Sequence, residues 1–216
     1  MDELGAEEVR VLGCLVEKDH TTPEQYPLTM NSLLLACNQA SNRTPTVAYD
    51  AETVELALGL LRERGLARVL LSSSNRATKY RHVLDEHFAM TDGEVAVLAV
   101  LFLRGAQTLN ELRTRTERYR GIDDLGGVEA VLERLATRYD EPYVRRLDRH
   151  PGQREERWAH LFSGEPSDPP PGAERAPAPR SGASERLAAI EGELSSLRQQ
   201  VQELRADLGA LRDLLS

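Results

Sequence analysis

The sequence predicts a mainly α-helical protein with small β-hairpins (α+β), in which one module occurs twice and a separate helix follows. Three observations lead to this fold class. Two apolar helical patterns recur in the same order in both halves, each half continues with two strand-like segments around a turn, and the C-terminus carries leucines in a seven-residue repeat. The repeat divides the 216 residues into parts.

Two pairs of similar segments define the internal repeat. The segment "EVRVLGCLVEK" at 8–18 matches "EVAVLAVLFLR" at 94–104, and "TVELALGLLRER" at 53–64 matches "GVEAVLERLATR" at 127–138. Because both pairs occur in the same order, the pattern indicates a duplicated domain. The first copy is longer, and we place its insertion within "KDHTTPEQYPLTM".

The first helix of each copy is predicted at the first pair of matching segments, where apolar residues recur at helical spacing. In the second copy, Thr91 and Glu94 form a capping box at its start. The longest apolar run, at 95–103, lies in this helix. A membrane span needs about 20 apolar residues, so we expect a buried helix instead.

The second and third helices follow in each copy. Helix two is predicted from about residue 29 to 39 in the first copy. In the second copy it begins at Thr108, where Thr108 and Glu111 form another capping box. Helix three is predicted at about 50–64 and about 127–138. Each copy therefore begins with three helices.

Each copy then becomes strand-like. In the first copy, segments 66–72 and 78–83 flank the turn "SSNRA", and in the second, 142–148 and 156–162 flank "RHPGQRE". Both pairs predict β-hairpins closed by Gly, Pro, Asn or Ser. Three helices followed by a hairpin make a winged helix, a variant of the helix-turn-helix in which the hairpin is the wing.

The composition changes after Phe162, where a Pro-, Gly- and Ser-rich stretch predicts an extended, disordered linker. Apolar residues then alternate at spacings of three and four, which predicts a coiled coil, most simply a parallel homodimer. The alternative is a tail helix packed on its own domain. The predicted dimerisation residues are Leu187, Ile190, Leu194, Leu197, Val201, Leu204, Leu208, Leu211 and Leu215. The predicted domains are winged helix one at 1–89, winged helix two at 90–162, the linker at 163–184 and the coiled-coil helix at 185–216.

Four segments carry a resemblance to a known family. They are "LGCLVEKDHTTPEQYPLTMNSLLLACNQASNRTP" at 12–45, "KYRH" at 79–82, "LRGAQTLNELRTRTERY" at 103–119 and "PGQREERWAHLF" at 151–162. In these segments, and in its heptad tail, the chain resembles the YceH-like proteins, a bacterial family of tandem winged helices. The resemblance implies that fold with a C-terminal coil, and it implies no particular activity.

The charges give two opposing indications about partners. A formal net charge of −8 argues against nucleic acid as a default partner, because phosphates attract basic surfaces. The segment 104–120 nevertheless holds five arginines and two glutamates, and the second wing holds further arginines. Such a surface suits phosphates, or it is a solvated face on which arginines pair with acids.

The candidate nucleic-acid contacts lie in the turn before helix three of the first copy, on helix two of the second copy, and in the second wing. Arg43, in that turn, has an alternative role, which is to bind a carboxylate within its own domain. Helix three of the first copy begins with Asp50, Glu52 and Glu55, which would repel phosphates. The predicted nucleic-acid-binding residues are Arg43, Arg113, Arg115, Arg118, Arg120, Arg145, Arg146 and Arg149.

Two functions remain open at this point. One is a dimeric, regulatory DNA-binding protein that contacts the phosphates of double-stranded DNA through helix two and the wing of the second copy. The other is a protein-interaction scaffold whose acidic helix-three surfaces dock a basic partner. The charged residues 17–20 are either part of a binding surface or a solvated helix end.

No pattern of catalytic or metal-binding residues stands out. The sequence has no glycine-rich phosphate loop, no His-Glu-x-x-His and no Cys-x-x-Cys, and its five histidines lack ligand spacing. We therefore expect no enzyme activity, no catalytic residue, no metal site and no cofactor. Cys14 and Cys37 are expected to be buried free thiols. The acidic start lacks the basic region of a signal peptide, so we expect a cytoplasmic protein without membrane contact.

Overall fold

The computed structural model describes residues 3–70, 78–119, 125–137, 141–149 and 153–166. These residues all belong to one compact unit. The predicted coiled coil, with every predicted dimerisation residue, lies outside the described residues, as does most of the predicted linker. The described part therefore corresponds to the two predicted modules.

Among the described residues, the first half of the chain forms four α-helices and a small antiparallel sheet. A short 3₁₀ helix, Pro23–Gln25, separates the first helix from the first strand. The elements are α1 (Ala6–Thr21), β1 (Leu28–Thr29), α2 (Met30–Cys37), α3 (Ala51–Glu63), β2 (Ala67–Leu70), β3 (Lys79–His82) and α4 (Leu84–Phe88).

The second half repeats the order of α1 to β3, namely helix, strand, helix, helix, strand and strand. The short helix α4 connects the two halves and was not predicted. The expectation of a mixed α and β fold with small antiparallel sheets is confirmed. The elements of the second half are α5 (Asp92–Arg104), β4 (Gln107–Thr108), α6 (Leu109–Thr116), α7 (Leu125–Thr137), β5 (Val144–Leu147) and β6 (Arg157–His160).

Each half contains a three-stranded antiparallel sheet rather than a two-stranded hairpin. The strand orders are β1-β3-β2 and β4-β6-β5. The register pairs Leu28 with Tyr80 at one edge and Gln107 with Trp158 at the equivalent edge. Strands β1 and β4 were not predicted, because a two-residue strand is too short to show alternation.

Side-chain caps determine where several helices begin. Both predicted capping boxes are present, with Thr91 and Glu94 at α5 and Thr108 and Glu111 at α6. At α3, the Asp50 carboxylate accepts a hydrogen bond from a backbone N–H of the first turn at 2.9 Å. The acidic start of α3 is thus partly explained by helix initiation.

Helices α1 and α5 pack against each other at the centre of the unit. All residues of α5 from Gly93 to Leu103 are buried, as expected for a helix that is apolar all round. Gly13 permits this close approach, because a Cβ atom there would lie 2.9 Å from the Phe102 Cβ. The two halves therefore share one hydrophobic core.

Two further expectations concern this core. Cys14 and Cys37 are buried and free, as predicted. The apolar run in α5 is a buried helix, also as predicted. In the part of the chain that the structure describes, no helix combines the length and the apolar character needed to cross a membrane.

Candidate binding surfaces

A buried ion cluster joins the two halves near the end of α1. Glu17 is only 1% exposed, and its carboxylate accepts hydrogen bonds from Arg43 Nη2 at 2.5 Å and from Arg118 Nη2 at 2.6 Å. Arg43 belongs to the loop between α2 and α3, whereas Arg118 follows α6. One carboxylate is therefore shared by arginines from both copies.

Arg43 is satisfied entirely within the protein. Its side chain is fully buried, and its guanidinium also donates to the carbonyl oxygens of Ala36 and Asn42. Arg43 was predicted either to contact nucleic acid or to bind a carboxylate within its own domain. In the structure it binds the carboxylate of Glu17. We therefore remove Arg43 from the nucleic-acid-binding set, because a buried guanidinium does not reach a phosphate.

The arginines keep Glu17 ionised. Burial alone would raise the pKa of its carboxyl group, but the hydrogen bond and charge of Arg43, with the charges of Lys18 and Arg118, hold that pKa below its ordinary value. Neither predicted environment of residues 17–20 fits Glu17, which is neither a surface residue nor solvated. His20 is also buried, and its ring lies 5.5 Å from that of Tyr119.

The arginines of α6 and the segment after it have different surroundings. Arg113 is exposed and, within the described residues, has no carboxylate partner. Arg115 pairs with Glu111 one turn earlier at 3.1 Å, and Arg118 pairs with the buried cluster. Arg120 lies outside the described residues. In the described part of this segment, an outward-facing arginine charge thus remains uncompensated at position 113.

The arginines of β5 are exposed and paired. Arg145 forms an ion pair with Glu165, and Arg146 pairs with Glu156 at 3.2 Å. Exposed ion pairs of this kind contribute only about 0–1 kcal/mol to stability. Replacing the glutamate of such a pair by another anion therefore costs little. Arg149 is exposed just beyond the strand.

The outer side of α3 combines exposed leucines with carboxylates. Leu56 is 64% exposed and Leu60 is 45% exposed, while Glu52, Glu55 and Glu63 on the same side are also exposed. We refer to these five residues as the α3 face. The neighbouring helix α2 presents a further leucine, Leu35, which is 74% exposed. Single exposed leucines are ordinary, but a group of them rimmed by polar residues is typical of an interaction site.

Helix α7 occupies the position equivalent to α3 but has a different outer side. Its exposed residues include Glu129, Ala130, Glu133 and Arg134. Arg134 Nε lies 3.5 Å from an oxygen of the buried Glu94 carboxylate. Between residues 127 and 137, α7 exposes no large apolar side chain. The two copies therefore share acidic outer helices, and the first adds leucines.

Two histidines occupy equivalent positions in the two sheets. His82, at the end of β3, contacts Asp19 Oδ2 at 3.2 Å and Asp85 Oδ1 at 3.4 Å. His160, at the end of β6, packs edge-on against Phe102 with ring centroids 5.0 Å apart, and burial lowers its pKa to about 4. Among the described residues, no group of three or more His, Cys, Asp or Glu side chains is placed to hold a metal ion.

The fold and these surfaces define a duplicated α+β protein whose two copies share one core and present different outer faces. The particular family is shown by comparison with known proteins. The chain belongs to the family described as "Protein of unknown function, DUF480", which it matches over residues 4–153.

Its relatives cover almost the whole chain. A UPF0502 protein of Serratia proteamaculans is 45% identical over 206 residues, which make up 94% of this chain and 95% of that protein. A UPF0502 protein of Pelobacter propionicus is 47% identical over 202 residues, 92% of this chain and 91% of that protein. The UPF0502 protein YceH of Escherichia fergusonii is 43% identical over 211 residues, 96% and 98% respectively. The predicted membership of the YceH-like family is confirmed.

Proposed function

We propose that the protein is a non-catalytic adaptor in which the α3 face docks a basic, amphipathic segment of another protein. The observation that carries this proposal is the exposure of Leu56 and Leu60 between the carboxylates of the α3 face. An amphipathic helix can place its apolar side against such leucines and its lysines or arginines against the acids. The proposal includes no cofactor.

The scaffold of this adaptor is, in our proposal, a tandem winged helix. The order helix, strand, helix, helix, strand, strand occurs in both copies, and each sheet has the same strand order. In DNA-binding winged helices, the third helix enters the major groove. Helices α3 and α7 take that place here, so their outer sides are the natural contact surfaces of the two copies.

The charges of α3 and α7 favour a protein partner over a DNA groove. Glu52, Glu55 and Glu63 lie on the outer side of α3, and Glu129 and Glu133 on that of α7. Carboxylates at these positions would face phosphates and weaken DNA binding. The same carboxylates attract lysines and arginines of a protein partner, and they steer its approach.

Nucleic-acid binding is the second candidate, because several exposed arginines lie on one copy. Arg113 and Arg149 are exposed without a carboxylate partner in the described residues. Arg145 and Arg146 are exposed and would have to exchange Glu165 and Glu156 for phosphates. Because such exposed pairs are weak, the exchange costs little, and we rank this candidate second because the outer sides of α3 and α7 carry carboxylates.

The proposal also includes homodimerisation through the coiled coil predicted at 185–216, which lies outside the described residues. A dimer would present two α3 faces. A partner with two copies of the basic segment would then bind more tightly, because after the first segment binds, the second is held at a high effective concentration. A cytoplasmic location fits such an adaptor and remains part of the proposal.

The experiment is a selection of displayed helical peptides on the full chain. We expect the selected peptides to carry apolar residues at helical spacing with lysines or arginines beside them. Replacing Leu56→Asp together with Leu60→Asp should weaken their binding at least a hundredfold, since about 1.5–3 kcal/mol is lost for each leucine that is no longer buried. Fluorescence anisotropy measures the dissociation constants.

The matched control is Leu70→Asp, which places the same charge at another exposed leucine, on β2. This variant should bind the selected peptides as the parent protein does. Selection of acidic peptides would contradict the proposal. So would peptides that bind the double variant at Leu56 and Leu60 as tightly as they bind Leu70→Asp. A random-sequence DNA duplex forms the second arm. Tight binding that weakens steeply with salt and requires Arg113 and Arg149 would establish the nucleic-acid candidate instead.

A further inference from the structure

A cleft of about 230 Å³ opens where the two copies meet. One wall comes from α1 and the loop after α2, and the other comes from α5, α6 and the segment that follows α6. The lining residues that matter here are Asn42, Val100, Leu103, Arg104, Arg115 and Arg118. The cleft therefore exists only because both copies pack together.

Three guanidinium groups line this cleft, and two of them already pair with carboxylates. Arg104 donates to the amide oxygen of Asn42, a neutral partner. Arg118 shares the carboxylate of Glu17 with the buried Arg43. Arg115 has the carboxylate of Glu111, which is on the exposed side of its helix. Glu117 is the remaining acid in the lining.

The neighbouring positive charges affect the pKa of Arg104. Burial, and then the charges of Arg115 and Arg118, lower the pKa of its guanidinium. Arginine stays protonated at neutral pH in spite of such a shift. The three like charges therefore persist side by side, compensated in part by Glu17 and Glu111, and an anion among them would reduce the repulsion that remains.

The positions of these groups are built into the fold. Asn42 has a left-handed backbone with φ of 61°, a conformation that asparagine tolerates better than most residues. Its loop is attached to α5 by a hydrogen bond from the Thr44 N–H to the Leu103 carbonyl oxygen at 2.8 Å. Arg104 is held in turn at the end of α5. The cleft is preorganised, so a ligand need not order a loop.

The floor of the cleft is apolar. Val100 and Leu103 belong to the buried side of α5, and Tyr119 is buried beside them. Burial, followed by the charge of Glu17, raises the pKa of Tyr119 to about 12, so its hydroxyl stays neutral at physiological pH. An apolar floor with cations at the rim suits a ligand that has both a carbon skeleton and anionic groups.

We propose that this cleft binds a small organic oxyanion, a phosphorylated or polycarboxylate compound with at least two negative charges. Guanidinium groups match the geometry of phosphate and carboxylate oxygens and bind them through paired hydrogen bonds. The walls of the cleft come from both copies, so a bound ligand also connects the two copies. This site is separate from the α3 face and does not depend on it.

The test is isothermal titration calorimetry of the full chain with inorganic pyrophosphate and with citrate, at constant ionic strength set by chloride. We expect at least one of these anions to bind with one site per chain. Replacing Arg104→Gln together with Arg115→Gln should weaken its binding roughly a hundredfold, since two charge-assisted hydrogen bonds are lost. Preference for pyrophosphate or for citrate tells phosphate ligands from carboxylate ligands.

The matched control is Arg113→Gln, which removes the same charge from the same helix outside the cleft. It should change the affinity far less than the double variant does, because Arg113 is exposed and does not line the cleft. If the double variant fails to fold, the side-chain Nε–H signals of Arg104 and Arg115 in the NMR spectrum of the unmodified protein should shift with pyrophosphate or citrate, and that of Arg113 should not.

Three results would overturn the proposal. The first is the absence of binding by both anions. The second is an equal loss of affinity in Arg113→Gln and the double variant. The third is displacement of the bound anion by duplex DNA with a requirement for Arg113, which would assign these arginines to a surface for a polyanion.

Discussion

Helices α3 and α7 occupy equivalent places in the two copies, and they differ on the side that faces solvent. Their inward residues are all buried, and three of the four inward pairs are identical. The inward pairs are Val54 and Val128, Ala57 and Val131, Leu58 and Leu132, and Leu61 and Leu135. The outward pairs differ, since Leu56 corresponds to Ala130 and Leu60 to Arg134.

Packing constrains the inward positions of these helices and leaves the outward positions free to vary. An inward residue must fill the space against α1 or α5, so a change in its volume is costly. An outward residue has no such constraint. The two exposed leucines of α3 therefore need an explanation other than folding, and a partner that covers them provides one.

The largest expected effect tests whether the two copies form one cooperative unit. Glu17 stands where the second copy has Leu103, so Glu17→Leu makes the two first helices alike. The change leaves the guanidinium of Arg43 buried without its carboxylate, which should lower the free energy of unfolding by about 3–5 kcal/mol. Urea denaturation followed by circular dichroism measures it.

The control for this variant is Glu52→Gln on the exposed α3 face, which should stay within about 0.5 kcal/mol of the parent protein. A loss below about 1 kcal/mol in Glu17→Leu would mean that the buried Arg43 does not need its carboxylate. Two separate unfolding transitions, detected by different probes, would contradict a shared core, since they would show that the two copies unfold independently.

The next effect concerns the equivalent histidines of the two sheets. The pKa of His160 is about 4 in the folded protein, whereas an unfolded histidine has a pKa of about 6.5. As the pH falls from about 6.5 to 4, the unfolded chain therefore takes up a proton that the folded ring does not. His160 should thus cost stability in this window, reaching roughly 3 kcal/mol at its acid end.

The variant His160→Phe should lose less stability than the parent protein between pH 6.5 and 4, measured by urea denaturation at each pH. Above this window the parent and the variant should show the same slope of stability against pH. His87→Gln, at an exposed position in α4, serves as the control and should keep the parental profile. An unchanged acid slope in His160→Phe would show that the ring is already charged in the folded state.

A smaller effect on stability is expected at two glycines of the first copy whose equivalents in the second copy are other residues. Gly13 corresponds to Ala99 and Gly59 to Glu133. A Cβ at Gly13 would collide with Phe102 on α5, whereas a Cβ at Gly59 would have nothing within 4 Å. Gly13→Ala should destabilise the protein by about 1–3 kcal/mol, and Gly59→Ala should stabilise it by roughly 0.5–1 kcal/mol.

Thermal unfolding of both variants checks these signs. The pair works as its own control, because the same substitution is made in two helices of one protein. A stabilising Gly13→Ala would mean that α1 and α5 are further apart than the structure shows. A destabilising Gly59→Ala would mean that the outer side of α3 is already covered.

Much of the fold was predictable because local signals carry it. Helix positions followed from apolar spacing, and the starts of α5 and α6 followed from their capping boxes. The two-residue strands β1 and β4 were not predictable, because they form only when β3 and β6 provide an edge to pair with. Helix α2 ends at Cys37, earlier than expected.

The buried cluster was beyond local reasoning. Glu17 pairs with residues that are 26 and 101 positions away in the chain, and nothing near Arg43 in sequence marks it as buried. One signal was available in the repeat, since Glu17 falls on the apolar position that Leu103 fills in the second copy. A charge at an inward position of a repeat predicts a buried partner.

The candidate surfaces were predicted unevenly. The acids at the start of α3 were visible in the sequence, and they already argued against DNA. The exposure of Leu56 and Leu60 was not predicted, because a leucine at helical spacing is most often a core residue. The repeat carried a signal, since Leu56 falls on Ala130 and Leu60 on Arg134, and the packing of α3 on α1 leaves both leucines outside.

The central claim is that the outer side of α3, and not of α7, is the docking surface. The most direct measurement gives α3 the outward residues of α7, by Leu56→Ala together with Leu60→Arg, and determines the affinity for the peptides selected on the parent protein. We expect a roughly hundredfold loss of affinity with unchanged stability. Parental affinity in this variant would contradict it.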